Sequence, residues 1–474
     1  VSTFSGLGTA LSSLIAQRQA LEVSGQNVAN ANTVGYTRQR AAMASLPAAT
    51  VPSMFSHTDG VGQGVAVTGF ERLGDVFLDA RLRNETSGAA NLAAIAGEYK
   101  TLEATIGEPS KTGFSQDLSA FWTSWSDVAK APGSEASRAV LLEKAKAVGS
   151  RIATLYEDTA TQWQQALTTT TSLVTQVNTT AANVADLNTR ILSITNAGGS
   201  ANELMDQRDL LVTQLSSLVG ASTRTNDDGS IDVMVAGNAL VSGSTANALK
   251  VSGDSPGSFQ GAVDGGTVSI VWARNDNPAG LEGGRVAGLL TTLAAADDGG
   301  ILAGTGVSLN ALATSIHDQV NAIHTDAYTV AGTAGDPFFT ISAGGEAAAV
   351  SLKVAITDPD DIAVAEQGKG PYDGSFGTKM ANLANAAGSP DAQWSAFVVD
   401  LGVKSASASS RATVAEAARS TAAAAQLAQT SVDTDEESVN MLAYQRAYEG
   451  AARVLTAIDE MLDTLINRTG VVGR

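Results

Sequence analysis

Two runs of heptad spacing, one at each end of a 474-residue chain, constrain its fold more than any other feature. At the N-terminal end Leu7, Leu14, Leu21 and Val28 recur every seven residues, with Phe4, Leu11, Arg18 and Gly25 at the intervening position. The alternating spacing places them on one stripe of a helix, which Arg18 and Gly25 weaken. At the C-terminal end Asn440, Tyr444, Ala447, Ala451, Val454, Ile458, Met461 and Leu465 alternate in the same way. They follow Asp433 to Glu437, which supply caps and negative charge for a helix N-terminus. Gly470 and Gly473 come next, so this helix is expected to reach almost to the last residue. A lone helix with a half-polar seam is marginal in water. The two stripes are therefore expected to bury each other, Leu7, Leu11, Leu14 and Leu21 lying opposite Val454, Ile458, Met461 and Leu465. An amphipathic helix packed on its own domain is the alternative reading of the first stripe.

The stretch NVANANTVGYTRQR, from Asn27 to Arg40, ends the first helix. Asn30, Asn32 and Gly35 tolerate left-handed backbone and hydrogen-bond locally, which is helix-stop chemistry. Further on, Ser134 to Asn196 holds a long helical pattern in which Val174, Val177, Ala181, Val184, Asn188 and Ile191 keep heptad spacing. Gly198, Gly199 and Ser200 break it, and a second helix resumes from Asn202 to about Leu218, favouring an antiparallel pair. The period then changes to two: Ile231, Val233 and Val235 follow an Asp228-Gly229 hairpin signal. Helix returns from Arg285 to about Tyr328, marked by Leu289, Leu290, Leu309, Leu312, Ile316, Val320 and Ile323 around a glycine-rich interruption at 298–306. A β-like region starts at Asp336-Pro337 and includes VSLKVAITDP, before helix signals resume weakly near Ala392 and firmly near Ser405.

The expected fold is mainly α with β inserts, built from discontinuous domains. Residues 1–60 with 428–474 form a terminal helical assembly domain, and 61–220 with 282–330 and 405–427 form a helical bundle. Residues 221–281 are a β-hairpin excursion of that bundle, and 336–404 a small outer β-rich insert.

Composition narrows the function. Apolar residues make up 44% of the chain but aromatics only 5%, which suits thin helical seams of Ala, Val and Leu. With 29 basic and 48 acidic residues the net charge is −19, so nucleic acid is not expected as a partner. Absence of Cys removes disulfides and thiol chemistry. No apolar run approaches the roughly 18 to 20 residues of a membrane span. The first residues carry no charge before Arg18 and no continuous apolar core, unlike a secretory signal, so export would need a route without a cleaved signal.

Chemical motifs are weak throughout. Gly60, Gly62 and Gly64 lack dinucleotide-fingerprint spacing and read as a turn, and QGKG at Gln367 to Gly370 lacks the flanking residues of a phosphate loop. Asn226 to Asp228 lacks the later Glu of a calcium loop. Asp358, Asp360 and Asp361 read as a solvated acidic loop. His57, His317 and His324 are the only histidines, and the last two stand seven apart, too far for an i, i+4 metal pair. No catalytic, cofactor or metal site is expected.

NVANANTVGYTRQR resembles the N-terminal signature of bacterial flagellar axial proteins, where a helix is followed by Asn-Ile-Ala-Asn, Asn-Thr and Pro-Gly-Tyr. Asn27, Ala29, Asn30, Asn32, Thr33, Gly35 and Tyr36 match, while Val28 and Val34 replace Ile and Pro. Within those proteins three stretches resemble the hook-associated protein 1 family. They are Gly62 to Arg83, with Arg72, Asp75, Phe77, Leu78 and Arg83; the Asn202 to Gly220 helix with its hairpin; and the C-terminal helix, with Asp435, Glu436, Glu437, Gln445, Ala447 and Tyr448. Asp433-Thr434 stands in place of the usual Asn-Leu, and 336–404 matches no family pattern.

The resemblance implies a structural component of the extracellular flagellum, exported without a cleaved signal. It implies a junction ring between hook and filament, with paired terminal helices inside and middle domains outside. Implied partners are further copies of the chain, the hook protein, a second junction protein, and an export chaperone and apparatus, with no nucleic acid or membrane. The assembly interface is expected at Leu7, Leu11, Leu14, Leu21, Val28, Asn30, Asn32, Gly35 and Tyr36, and at Tyr444, Val454, Ile458, Met461 and Leu465. The terminal helices are expected to be disordered or molten in the free monomer. Rival readings are another axial protein, such as the filament protein or another junction protein, a secreted helical adhesin, or a surface hydrolase grafted into the outer β region.

Overall fold

The computed structural model describes residues 3–47, 62–253 and 258–468. His57, Gly60, Gly470 and Gly473 lie outside them. The fold is mainly helical with small sheets. Helix α1 (Thr3–Asn30) is followed by an antiparallel hairpin, β1 (Gln39–Ser45) and β2 (Val65–Arg72). Helices α2 (Val76–Ile106), α3 (Phe114–Lys130), α4 (Glu135–Asn196) and α5 (Asn202–Val219) come next. Long α4 starts where Ser134 caps the Ser137 N–H, and Val174, Val177, Ala181, Val184, Asn188 and Ile191 are all buried along it. The heptad reading of this segment therefore corresponds to a real packing face.

A four-stranded antiparallel sheet follows, β3 (Ser222–Thr225), β4 (Ile231–Val235), β5 (Asn238–Ser242) and β6 (Thr245–Ala246). It is followed by β7 (Leu249–Gly253), the one-turn α6 (Phe259–Val263) and β8 (Val268–Trp272), which pairs with β7. Helices α7 (Gly284–Leu293) and α8 (Ile301–Thr325) then re-enter the bundle. Their break falls at 294–300 rather than 298–306, since Gly304 and Gly306 sit inside α8. Gly306 serves packing there: a Cβ would stand 2.8 Å from the ring of buried Phe259.

The stretch expected as an outer β-rich insert differs. Its strands are short: β9 (Tyr328–Thr329) and β12 (Ala363–Ala365) form one pair, β10 (Phe339–Thr340) and β11 (Lys353–Val354) another. Between them lies α9 (Ala348–Ser351), and α10 (Ser375–Asn382) follows. Phe338 and Phe339 are fully buried in the same cluster as Phe121 and Trp125 of α3, with the Phe338 and Trp125 rings 5.2 Å apart. An alternating apolar pattern such as VSLKVA fits an exposed hairpin, but here its apolar residues complete the bundle core. From Pro390 the chain belongs to α11 (Pro390–Thr430), 41 residues long. Its start was obscured by weak periodicity, although Ser389 before Pro390 is a helix-start signal: the Ser389 hydroxyl accepts the Ala392 N–H.

Helix α11 runs antiparallel to α2, with Ser405 donating to Glu103 at one level and Gln426 to Asp79 further along. After a short extended link, α12 (Thr434–Asp463) returns beside α1 and ends in a π-turn at Thr464–Arg468. The Asp433 carboxylate caps α12 by accepting the Asp435 and Glu436 N–H groups.

Helices α1 and α12 pair antiparallel, as the two heptad stripes suggested, but each is rotated from the expected seam. On α1 the buried line is Ala10, Ala16, Ala20, Val23, Ser24 and Asn27, whereas Leu11 is 52% exposed and Leu7, Leu14 and Leu21 are half-buried flanks. On α12 the line runs through Glu437, Ala451 and Ile458, with Tyr444, Leu455 and Leu462 half-buried; Val454, Met461 and Leu465 are each more than half exposed. Small residues win the seam because they let the two backbones approach, and Gly6 brings Ile458 Cδ1 to 3.1 Å from where a Cβ would stand.

Candidate assembly site

The terminal pair joins the bundle through a polar junction centred on the Asn27 to Arg40 stretch. Asn27, 1% exposed in the last turns of α1, receives the Tyr36 hydroxyl at 2.8 Å and the Gln39 N–H at 3.0 Å on one oxygen, while its amide donates to the Gln39 carbonyl at 2.9 Å. One side chain thus folds the next dozen residues back onto the helix that precedes them. Gly35 makes the reversal with φ of +82°, a conformation that favours glycine. Asn30 ties the turn locally, donating to the Gln26 carbonyl and accepting from Thr33, while Asn32 and Val34 are exposed. Burial, reinforced by Asp206, Glu203 and Glu437, pushes the Tyr36 hydroxyl up to about 12, so it stays a donor at physiological pH.

Past the turn, Arg38 binds the start of α12. Its Nε donates to Glu437 at 2.7 Å and its other guanidinium nitrogens reach Glu436 at 3.0 Å. The Arg38 N–H also donates to the Thr430 carbonyl at the end of α11. On the other side, the first turns of α5 supply carboxylates. Arg72, at the end of β2, lies 2.7 Å from both Asp206 and Asp209, and Arg83 of α2 lies 3.2 Å from Asp209. Asp206 also accepts the Thr37 N–H, and Glu203 accepts from Gln26. Asn202 donates to the Gln39 side chain and the Phe70 carbonyl. Burial pushes the Asp206 carboxyl above its usual range against the pull of Arg72 and the Thr37 N–H. Arg208, next along α5, is lowered by burial beside Arg72 and Arg83, and spends its guanidinium on Asn188 and the Gly229 carbonyl.

This network ties the turn to α5 and α12. Its carboxylates are occupied by guanidinium or N–H donors, and among the described residues no group of three His, Asp or Glu could hold a metal ion. His324 is fully buried, its Nδ1 donating to the Asp336 carbonyl and its Nε2 accepting the Ala363 N–H, so it staples the short strands together. The Asp358 to Asp361 loop is solvated, its three aspartates exposed, with Asp360 reaching the buried Arg138.

The expected interface residues divide into five groups. Gly35, Asn30 and Tyr36 belong to the turn, and Tyr444 and Ile458 to the intrachain seam. Leu11, Val28, Val454, Met461 and Leu465 face outward, joined there by Ile15, Val439, Leu442, Tyr448 and Ile466. Leu7, Leu14 and Leu21 lie between the two faces, and Asn32 is on the surface. Sequence reasoning missed the pairing roles of Asn27, Arg38, Arg72, Asp206, Asp209 and Glu437. A signal existed: charged residues packed among apolar ones at helix and strand ends are costly unless paired.

Comparison with known proteins agrees with this architecture. A family described as flagellar hook-associated protein FlgK helical domain matches residues 99–339. Residues 7–37 match the flagella basal body rod protein family, and 416–468 the flagellar basal body rod FlgEFG protein C-terminal family. The flagellar hook-associated protein 1 of Bacillus subtilis is 29% identical over 520 residues, covering all of both chains. That of Salmonella typhimurium is 30% identical over 338 residues, covering 70% of this chain and 58% of the relative. The solved flagellar hook junction protein FlgK from Burkholderia pseudomallei shares the fold, with a TM-score of 0.64 at 15% identity over 75% of this chain and all of that one. With the helical-domain family spanning half of the sequence and rod-protein families covering the two terminal helices, the chain belongs to the flagellar hook-associated protein FlgK family, structural flagellar proteins rather than enzymes.

Proposed function

We propose that this chain forms the junction ring between hook and filament, assembling through the outward faces of α1 and α12. The observation that carries this reading is the row of exposed apolar side chains on that pair, Leu11, Ile15, Val454, Met461 and Leu465 among them. Exposed apolar stripes at helical spacing of this kind mark interaction sites. Their neighbours in the ring are further copies of the chain, with the hook protein below and a second junction protein above. An export chaperone and the export apparatus handle the subunit beforehand, and the working location is extracellular. None of the described helices is long and apolar enough to cross a membrane. The terminal pair with residues 1–60 and 428–474 acts as the assembly domain, and the bundle faces outward. Before assembly the pair is loosely held, because its seam is thin and built largely of small residues.

The test is incorporation. Met461→Asp places a charge on the outward face without touching the intrachain seam, so it is expected to leave the bundle folded and remove the protein from isolated flagella. Normal incorporation of that variant refutes this face as the interface.

A further inference from the structure

Phe77 is 86% exposed and its neighbour Val76 75%, yet the backbone that carries them is firmly held. Asp75 caps α2 by accepting the Phe77 N–H at 2.7 Å and the Leu78 N–H at 3.2 Å, so the ring is presented from a fixed helix start rather than a loose loop. Val76 and Phe77 together make an apolar knob on a fixed backbone, and covering it would release its ordered water.

On the far side of the same helix is a recess of about 390 Å3. Asp79, Leu82 and Arg83 of α2 form one wall of it; at 100° per residue they point roughly 120° to 160° away from Phe77. Its lining is mixed, a polar floor with three apolar side chains open to water at the rim: Val34 is 82% exposed, Leu427 57% and Leu210 47%. The recess is large enough for a phenyl ring with a valine beside it.

We propose that Phe77 of one subunit seats in this recess of the next copy of the chain. Charge favours that occupant. Arg81, one turn after Phe77 and on the same side, is exposed and forms no ion pair among the described residues. The recess carries three carboxylates, Asp79, Asp206 and Asp209, against two guanidinium groups, Arg72 and Arg83. Asp79 is bound there only to the neutral Gln426 amide, at 2.8 Å. Arg81 of the incoming copy therefore meets a site with one negative charge in excess. Knob and recess occupy opposite sides of one helix, so the contact is head-to-tail, the type that propagates into a ring or helix rather than closing a two-fold dimer. This inference rests on the ring-forming reading above and extends it from the terminal helices to the base of the bundle.

A chain without cysteine allows a clean test. Flagella are isolated from cells whose only copy carries Phe77→Cys and Leu210→Cys, then treated with diamide and run without reductant. A ladder of cross-linked subunits, absent from each single-cysteine variant, is the expected result, since a disulfide needs Cα atoms within about 7 Å. Monomers only, with the protein present in the flagella, overturn the contact while leaving the terminal-helix reading intact; dimers from Phe77→Cys alone overturn its head-to-tail geometry. Absence of the wild-type protein from flagella overturns both readings. In parallel, Phe77→Ala should lower incorporation about tenfold, and Arg81→Asp should do the same and be rescued by Asp79→Arg on the same chain. Failure of that rescue, with both single variants folded, contradicts the charge pairing.

Discussion

Replacing Arg38 by Ala should loosen the start of α12 and with it the whole terminal pair. Glu437 is 2% exposed, and Arg38, at 17%, is its ion-pair partner at 2.7 Å. Removing one member of a buried pair leaves an uncompensated charge, which typically costs about 3 to 5 kcal/mol. The lower end applies, because Glu437 lies in the first turns of α12, where the helix dipole favours a carboxylate, and because water can enter where Arg38 stood. A cost of about 3 kcal/mol raises the opening equilibrium of this segment roughly a hundredfold. The Arg38 contact to Glu436 adds little, since Glu436 is 58% exposed. Amide exchange over residues 434–445 is the assay, with Arg38→Ala, Glu436→Ala and the apolar pair Arg38→Met with Glu437→Leu compared side by side. Protection should fall in the first, hold in the second and largely return in the third. If Glu436→Ala matches Arg38→Ala, or if Arg38→Ala shifts protection by less than about 1 kcal/mol, the Arg38–Glu437 pair does not hold the start of α12.

Three further outcomes are expected. Burial lowers the His324 pKa below its ordinary value, so the unfolded chain takes up the proton first. The stability it contributes is complete above about pH 6.5 and is lost as pH falls below that value toward the folded pKa; melting curves between pH 7.5 and 5 should show a shallower pH slope for His324→Gln than for wild type. Asn27→Ala strands the Tyr36 hydroxyl and the Gln39 backbone groups and should cost about 2 to 3 kcal/mol, read by chemical denaturation, whereas Asn32→Ala, at the surface, should be close to neutral. Ile458→Asp should weaken the intrachain pair as well as incorporation, while Met461→Asp should affect incorporation alone; far-UV dichroism of the purified chains separates the two.

Much of this architecture is legible in the sequence, for a physical reason. Helix starts and stops are local chemistry, so Ser134, Asp433, Gly198 and the Asp228-Gly229 turn all mark real boundaries. Heptad spacing likewise identifies α1, α4 and α12. It does not fix the rotation of a helix about its own axis when two adjacent stripes are both apolar. On α12, Tyr444, Ala451 and Ile458 belong to either stripe, and the choice of Leu455 and Leu462 over Val454 and Met461 is made by the small-residue face of α1. The polar junction was hidden for a different reason. Arg38 meets Glu437 across 399 positions and Arg72 meets Asp209 across 137, and neither partner is marked by a local motif. The 336–404 stretch reads as a separate β unit because its strands are real but short, while Phe338 and Phe339 pack inward on Phe121 and Trp125 and Leu352 is buried in the same core.

Labelling intact flagella tests the central claim most directly. Antibody raised against the exposed turn around Tyr372, which is 88% exposed, is bound to whole flagella and located by electron microscopy. The account predicts one narrow band per flagellum, where hook meets filament. Label distributed along the filament, or absent from flagella that contain a complete hook and filament, would contradict it.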